Sequence, residues 1–156
     1  MTNSNRIYRA FMPELVERLI VLVPSNLIIQ ASQFGHSIGE LSRGRVSRIL
    51  FAANAESADQ ELRLEHLLQQ LYAATHDTRL QVETVLFFRA SWTKALQSIY
   101  QPGDVLACLE PHLVRPRLWQ TRPLYQLLAE KLDFPIYILP SQSIPGSSNR
   151  VKYDPI

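Results

Sequence analysis

The run "RLIVLV", Arg18–Val23, places five consecutive apolar side chains behind one arginine. A strand with one wet face alternates apolar and polar residues. An unbroken run suits a strand covered on both faces, as in the middle of a parallel sheet. Downstream, Leu27, Ala31, Phe34, Ile38 and Leu41 recur in steps of four and three, the spacing of one helical face. Gly44 is placed to end that helix.

The alternation of strand and helix then repeats. "RILFAA", Arg48–Ala53, predicts a second strand. A helix follows from about Ser57 to Thr75, with Leu64, Leu67, Leu68 and Leu71 inward and Ser57 and Gln60 at capping-box spacing. Leu80–Phe88 begins with alternation, as an edge strand does. Ser91 is set to cap a third helix whose inner stripe is Trp92, Ala95, Leu96 and Ile99, stopped by Pro102-Gly103. "VLACL", Val105–Leu109, is the fourth strand. A loop then leads to a helix carrying Leu124, Leu127, Leu128 and Leu132. Pro135 opens a fifth strand, "PIYIL". Such alternation implies right-handed crossovers and a parallel sheet with helices on both faces. Residues 18–140 read as one α/β domain. Residues 1–17 read as an N-terminal arm, and the polar stretch 141–156 as a flexible C-terminal tail.

Composition narrows the function classes. Sixteen basic against fourteen acidic side chains leave a net charge of +2, too balanced for a nucleic-acid footprint. The single cysteine, Cys108, excludes an internal disulfide and a cysteine-based zinc site, and fits a cytoplasmic location. In the longest apolar run Pro24-Ser25-Asn26 interrupts well before the about 20 residues a membrane helix needs, so no membrane insertion is expected. The first residues have no apolar core of signal-peptide type.

In a sheet of this kind ligands gather at the carboxyl ends of the strands. Ser25, Asn26, Ala53, Asn54, His112, Arg115, Arg117 and Arg122 fall there and form the candidate ligand set. The same residues also suit plain solvation of exposed loops and helix capping. No catalytic constellation is legible. The histidines are scattered without HxxxH or HExxH spacing, and no Walker, GxGxxG or GxSxG pattern occurs. Cys108 reads as a buried, inert thiol, and Trp119 as a loop aromatic that packs, meets a partner or stacks on a base.

Across residues 18 to 140 the chain resembles the universal stress protein family. The likeness is carried by "GDVLACLE", residues 103–110, and "LLAEKLDFPIYILP", residues 127–140. It implies a five-stranded parallel sheet of order 3-2-1-4-5, Rossmann-like and of the adenine-nucleotide hydrolase type. ATP-binding members carry a Gly-x2-Gly-x9-Gly-Ser/Thr loop after the fourth strand and an aspartate after the first. Here Leu113, Arg122 and Pro123 fall near the glycine and serine positions, and Pro24 or Ser25 replaces the aspartate. Side chains fill the space a phosphate needs and proline removes a donor, so family-type ATP binding is disfavoured and no cofactor is expected. Arg115, Arg117 and Arg122 offer charge-assisted contacts instead.

The expected function is a non-enzymatic regulatory or stress-response module, acting through a protein partner or as a homodimer built on the last strand. Two alternatives stay open: an anion or nucleotide sensor using the loop arginines, and a cytosolic domain associated with a membrane transporter.

Overall fold

The computed structural model of the chain describes residues 7–8, 16–25, 31–42, 44–75, 80–109, 112–117 and 119–139. Its strands are β1 (Ile7–Tyr8), β2 (Val16–Val23), β3 (Val46–Ala55), β4 (Gln81–Phe88), β5 (Asp104–Leu109), β6 (Leu113–Arg117), β7 (Gln120–Pro123) and β8 (Ile136–Leu139). Its helices are α1 (Ala31–Ser42), α2 (Ala58–Thr75), α3 (Trp92–Ile99) and α4 (Leu124–Lys131). The main sheet runs β1-β8-β5-β2-β3-β4 and every pairing in it is parallel. Its five longer strands, counted along the chain, stand in the order 3-2-1-4-5.

The apolar run sits at the centre, between β3 and β5. Strand alternation sends Leu19, Val21 and Val23 into a core with Phe34 and Ile38 of α1 and Leu64, Leu68 and Leu71 of α2. Ile20 and Leu22 face the other way, into a core with Leu96 of α3 and Leu124 and Leu128 of α4. Both faces of β2 are therefore dry. At about 25 cal/mol per Å² of apolar surface, each such side chain contributes roughly 1.5–3 kcal/mol.

Helix α2 starts as the capping-box spacing predicts, with one variation. The Gln60 N–H donates to Ser57 Oγ at 3.3 Å. The Gln60 side chain reaches back one residue further than the simple motif, so its Oε1 accepts from the Glu56 N–H at 2.8 Å. Helix α3 departs from expectation. Ser91 is its N-cap with extended backbone, but its hydroxyl makes no capping bond and pairs with Thr93 Oγ1 at 2.8 Å instead.

Three further expectations are corrected. The segment after β5, read as a loop, is an antiparallel hairpin of β6 and β7, with Leu113 opposite Pro123 and Val114 opposite Arg122. Proline-rich sequence hid it, because Pro116 and Pro123 are poor strand residues in a central sheet but are tolerated in a two-stranded ribbon. The last strand is not an edge. β1, from the stretch read as an arm, pairs with it, Ile7 beside Ile136 and Tyr8 beside Tyr137. β2 also begins at Val16 rather than Arg18, since Val16 packs into the core while Glu17 faces out. The tail 141–156 lies outside the described residues.

Candidate functional site

A cleft of about 580 Å³ opens at the carboxyl ends of β2, β3 and β4, on the face that carries α3 and α4. Val23 and Ser25 border it from β2, and Asn54 and Glu56 from β3. The hairpin supplies Leu113, Val114 and Arg115. Ala90, Ser91, Trp92 and Thr93 border it where β4 passes into α3, and Leu127 and Lys131 project from α4. His112 completes the wall between β5 and the hairpin.

Of the residues expected from sequence, Ser25, Asn54, His112 and Arg115 meet in this cleft. Ala53 does not line it; its side chain is fully buried against the α1 and α2 face. Arg122 is engaged elsewhere, forking onto the Glu130 carboxylate of α4, with Nη1 donating to Oε1 at 3.0 Å and Nη2 to Oε2. That pairing raises the Arg122 guanidinium pKa further and lowers that of the Glu130 carboxyl. Asn26 and the Arg117 side chain lie outside the described residues.

Asn54 has a structural task at the cleft floor. Its Nδ2 donates to the Ala90 carbonyl at 2.6 Å, and the Ala90 N–H donates to its Oδ1 at 3.2 Å. Next to this two-way clasp, Arg89 adopts φ 50, a left-handed backbone uncommon for a side chain of its size. The Arg89 N–H donates to the Ala55 carbonyl at 2.7 Å, and its Nε to the Glu56 carbonyl at 3.1 Å. These bonds tie the end of β4 to the end of β3 and aim the start of α3 into the cleft.

His112 is the buried titratable group of the site, with only 6% of its surface exposed. Burial pushes its pKa down to about 4, so the ring is neutral at physiological pH. Its Nδ1 has no hydrogen-bond partner. The ring meets Trp92 edge to face, with centroids 6.0 Å apart and planes at 84°. The main chain is well held: the His112 N–H donates to the Leu109 carbonyl at 3.0 Å, and the His112 carbonyl accepts from the Leu124 N–H at 2.8 Å.

The chemistry available is binding chemistry. The lining has two cations, Arg115 and Lys131, against one carboxylate, Glu56. It also has hydroxyls on Ser25, Ser91 and Thr93 and an aromatic wall from Trp92 and His112. Cys108 lies inside the neighbouring strand, where burial raises its thiol to about 12, outweighing the lowering effect of a backbone hydrogen bond from Tyr125. Among the described residues no group of three or more His, Cys, Asp or Glu could hold a metal ion. No helix among them is long and apolar enough to cross a membrane.

The sequence reading missed Trp92, Thr93, Lys131 and Glu56 as lining residues. The carboxyl-end rule, applied also to the third long strand, would have found the first two, since they follow the end of β4 directly. Glu56 follows β3 in the same way. Lys131 has no such signal, because α4 carries it back over the cleft.

No family model matches the chain, and no curated protein matches it. Among solved structures it is similar to a universal stress protein in complex with cAMP, with a TM-score of 0.46 and 11% identity over 81% of this chain and 98% of that one. It is also similar to part of an NAD+-reducing NiFe-hydrogenase in the air-oxidized state, with a TM-score of 0.37 and 16% identity over 88% of this chain and 24% of that one.

Proposed function

We propose that this chain is a non-catalytic regulatory module of the universal stress protein type that responds to a small anionic ligand held at the carboxyl ends of its strands. The observation that carries the proposal is the cleft itself. It encloses about 580 Å³, with Ser25 and Leu113 at its border and Arg115 and Lys131 on its wall. That volume suits a nucleotide-sized molecule. The ligand class is an organic anion, with adenine nucleotides as the first candidates and arginine replacing the backbone cradle that glycines would give.

The non-catalytic part rests on the state of the site's titratable groups. A general base must stand within reach of the proton it takes and hold a suitable pKa. His112, pushed down to about 4 by burial, is a weak base, and its Nδ1 has no carboxylate to orient it. The Cys108 thiol is protonated and sealed in the core.

Thermal unfolding in the presence of ATP, ADP, AMP, cAMP and inorganic phosphate tests the reading. A ligand at 100 times its dissociation constant adds about 2.7 kcal/mol of stability. Arg115→Ala should remove most of that gain. Stabilisation by none of these, or equal stabilisation of the Arg115→Ala chain, would end the proposal.

A second reading, a homodimer, is favoured by one observation. With β1 on the β8 side, β4 ends the sheet on the other side. Val82, Val85, Leu86 and Phe87 of β4 are half-buried and Phe88 is 46% exposed. Long apolar edge strands invite pairing with another chain. Light scattering behind size exclusion distinguishes monomer from dimer, and Phe88→Lys at the exposed end of that edge should return a dimer to monomer.

A further inference from the structure

The two edges of the main sheet are finished differently. On one side the last strand is β1, two residues long. So short an edge offers another chain little to pair with. On the other side the sheet ends, among the described residues, on β4, which has eight residues and pairs with β3. Glu83 is the only charged residue in it.

The main chain shows which groups this edge offers. The Arg89 N–H donates to the Ala55 carbonyl at 2.7 Å, toward β3. In a planar trans peptide the carbonyl before that N–H, on Phe88, points the opposite way. Strand alternation then turns the N–H and carbonyl groups of Phe88, Leu86, Thr84 and Val82 outward, away from β3. A strand laid alongside would receive them as ladder bonds.

A second copy of the same edge is the occupant that fits. A two-fold axis between antiparallel strands places one residue opposite its own copy and fixes every other pair from there. Centred on Thr84, Glu83 falls against Val85 of the other copy. Centred on Val85, it falls against Phe87, and centred on Phe87, Arg89 falls against Val85. Each of these sets a charge on an apolar side chain. Centred on Leu86, Val85 lies opposite Phe87 and Thr84 opposite Phe88, while Glu83 stands level with Arg89, the basic residue directly after the strand. Glu83 and Arg89 are both exposed. The Arg89 guanidinium makes one hydrogen bond among the described residues, from Nε to the Glu56 carbonyl, which leaves its Nη groups for a carboxylate.

We infer that β4 joins two copies of this chain, paired antiparallel about Leu86, so that two six-stranded sheets become one continuous sheet. Val85 and Phe87 stand at the rim of the core formed with α3 and α4, and the pairing covers that rim with the same residues of the other copy. Glu83 selects the register. An edge charge opposes pairing with an arbitrary strand, and here the Arg89 of the other copy neutralises it in one alignment only. The axis makes each of these matches twice. This inference rests on the homodimer reading above, and specifies which residues meet.

The test uses the whole chain with one added cysteine, since the native Cys108 is buried and does not compete. Directly opposite Cα atoms of a bonded antiparallel pair lie about 5.5 Å apart, a distance a disulfide spans. Leu86→Cys should therefore close into a covalent dimer under mild oxidation, read on a non-reducing gel. Gln81→Cys, on the same edge, should not, because the two copies of that position stand roughly 30 Å apart along the strands. Glu83→Arg should weaken the dimer about tenfold in light scattering on dilution, because it sets like charges together twice, and adding Arg89→Glu should restore it. Should the doubly substituted chain fold poorly, the cross-link in the otherwise native chain decides the matter. No cross-link through Leu86→Cys, equal cross-linking through Gln81→Cys, or a Glu83→Arg dimer as tight as the unmodified one would overturn this pairing. Dissociation by Phe88→Lys would then leave the homodimer reading standing. A chain that is monomeric at every concentration would overturn both.

Discussion

The two ends of β2 and β5 treat polar groups in opposite ways. At the amino end Arg18 and Asp104 stand side by side in register, 7% and 1% exposed. Arg18 Nε donates to both Asp104 oxygens at 3.2 Å, and Nη2 donates to Oδ2 and to the Ile99 carbonyl, each at 2.6 Å. The Gln101 N–H adds a bond to Asp104 Oδ2 at 2.8 Å, and Tyr100 donates its hydroxyl to the Asp104 carbonyl at 2.9 Å. The Tyr100 ring stacks on Phe134 at 3.6 Å between centroids. At the carboxyl end, His112 Nδ1 is buried without a hydrogen-bond partner in the wall of a cleft, and α3 starts without a side-chain cap. The lesson is that polarity alone does not mark a binding site. A buried charge held by an opposite charge and by main-chain groups holds the fold, whereas a buried polar group with no partner is a cost the fold carries.

Breaking the closed end should have the largest effect. Asp104→Ala strands a buried guanidinium and should lower unfolding stability by about 3–5 kcal/mol, read by urea denaturation. A loss no larger than that of an exposed ion pair would mean that water reaches Arg18.

The open end should show itself through pH. His112 stays neutral in the folded chain down to about pH 4, while an unfolded imidazole takes a proton near 6.5. Above 6.5 both states are neutral and the full stability is present. Between 6.5 and 4 the unfolded chain binds a proton that the native ring does not, so stability falls as pH falls. The loss approaches about 3 kcal/mol by pH 4. His112→Phe should remove that part of the pH dependence, measured as the difference between the two chains' stability profiles.

Asn54 sharpens the contrast, since it borders the open end yet is satisfied. Asn54→Ala leaves the Ala90 N–H and carbonyl without their partners and should destabilise by about 1–3 kcal/mol. It should also weaken ligand binding, because the start of α3 is no longer fixed. Arg122 gives the smallest effect. Its ion pair with Glu130 is solvent-exposed, so Arg122→Ala should leave both the melting temperature and ligand affinity within error of the unmodified chain. A clear loss of affinity would return Arg122 to the site.

Much of the fold was legible in the chain. The unbroken run of β2 and the stepwise spacing in α1 and α2 report burial directly, because dry faces demand apolar side chains at the period of the element. The same logic found the edge character of β4. It failed for β1, where two residues are too few for any period to show, and for the hairpin, where prolines argue against a strand. The candidate set from the carboxyl ends was half gathered into the cleft. Ser25, Asn54, His112 and Arg115 converge, while Ala53 and Arg122 do not line it.

The amino-acid sequence by itself determined the α/β class and the central place of β2, because each follows from local period and from the handedness of crossovers. Only the tertiary structure decided which polar groups find partners. Whether Asp104 meets Arg18, or His112 packs on Trp92 with no partner for its Nδ1, depends on distances between residues far apart in the chain, and no local pattern encodes those.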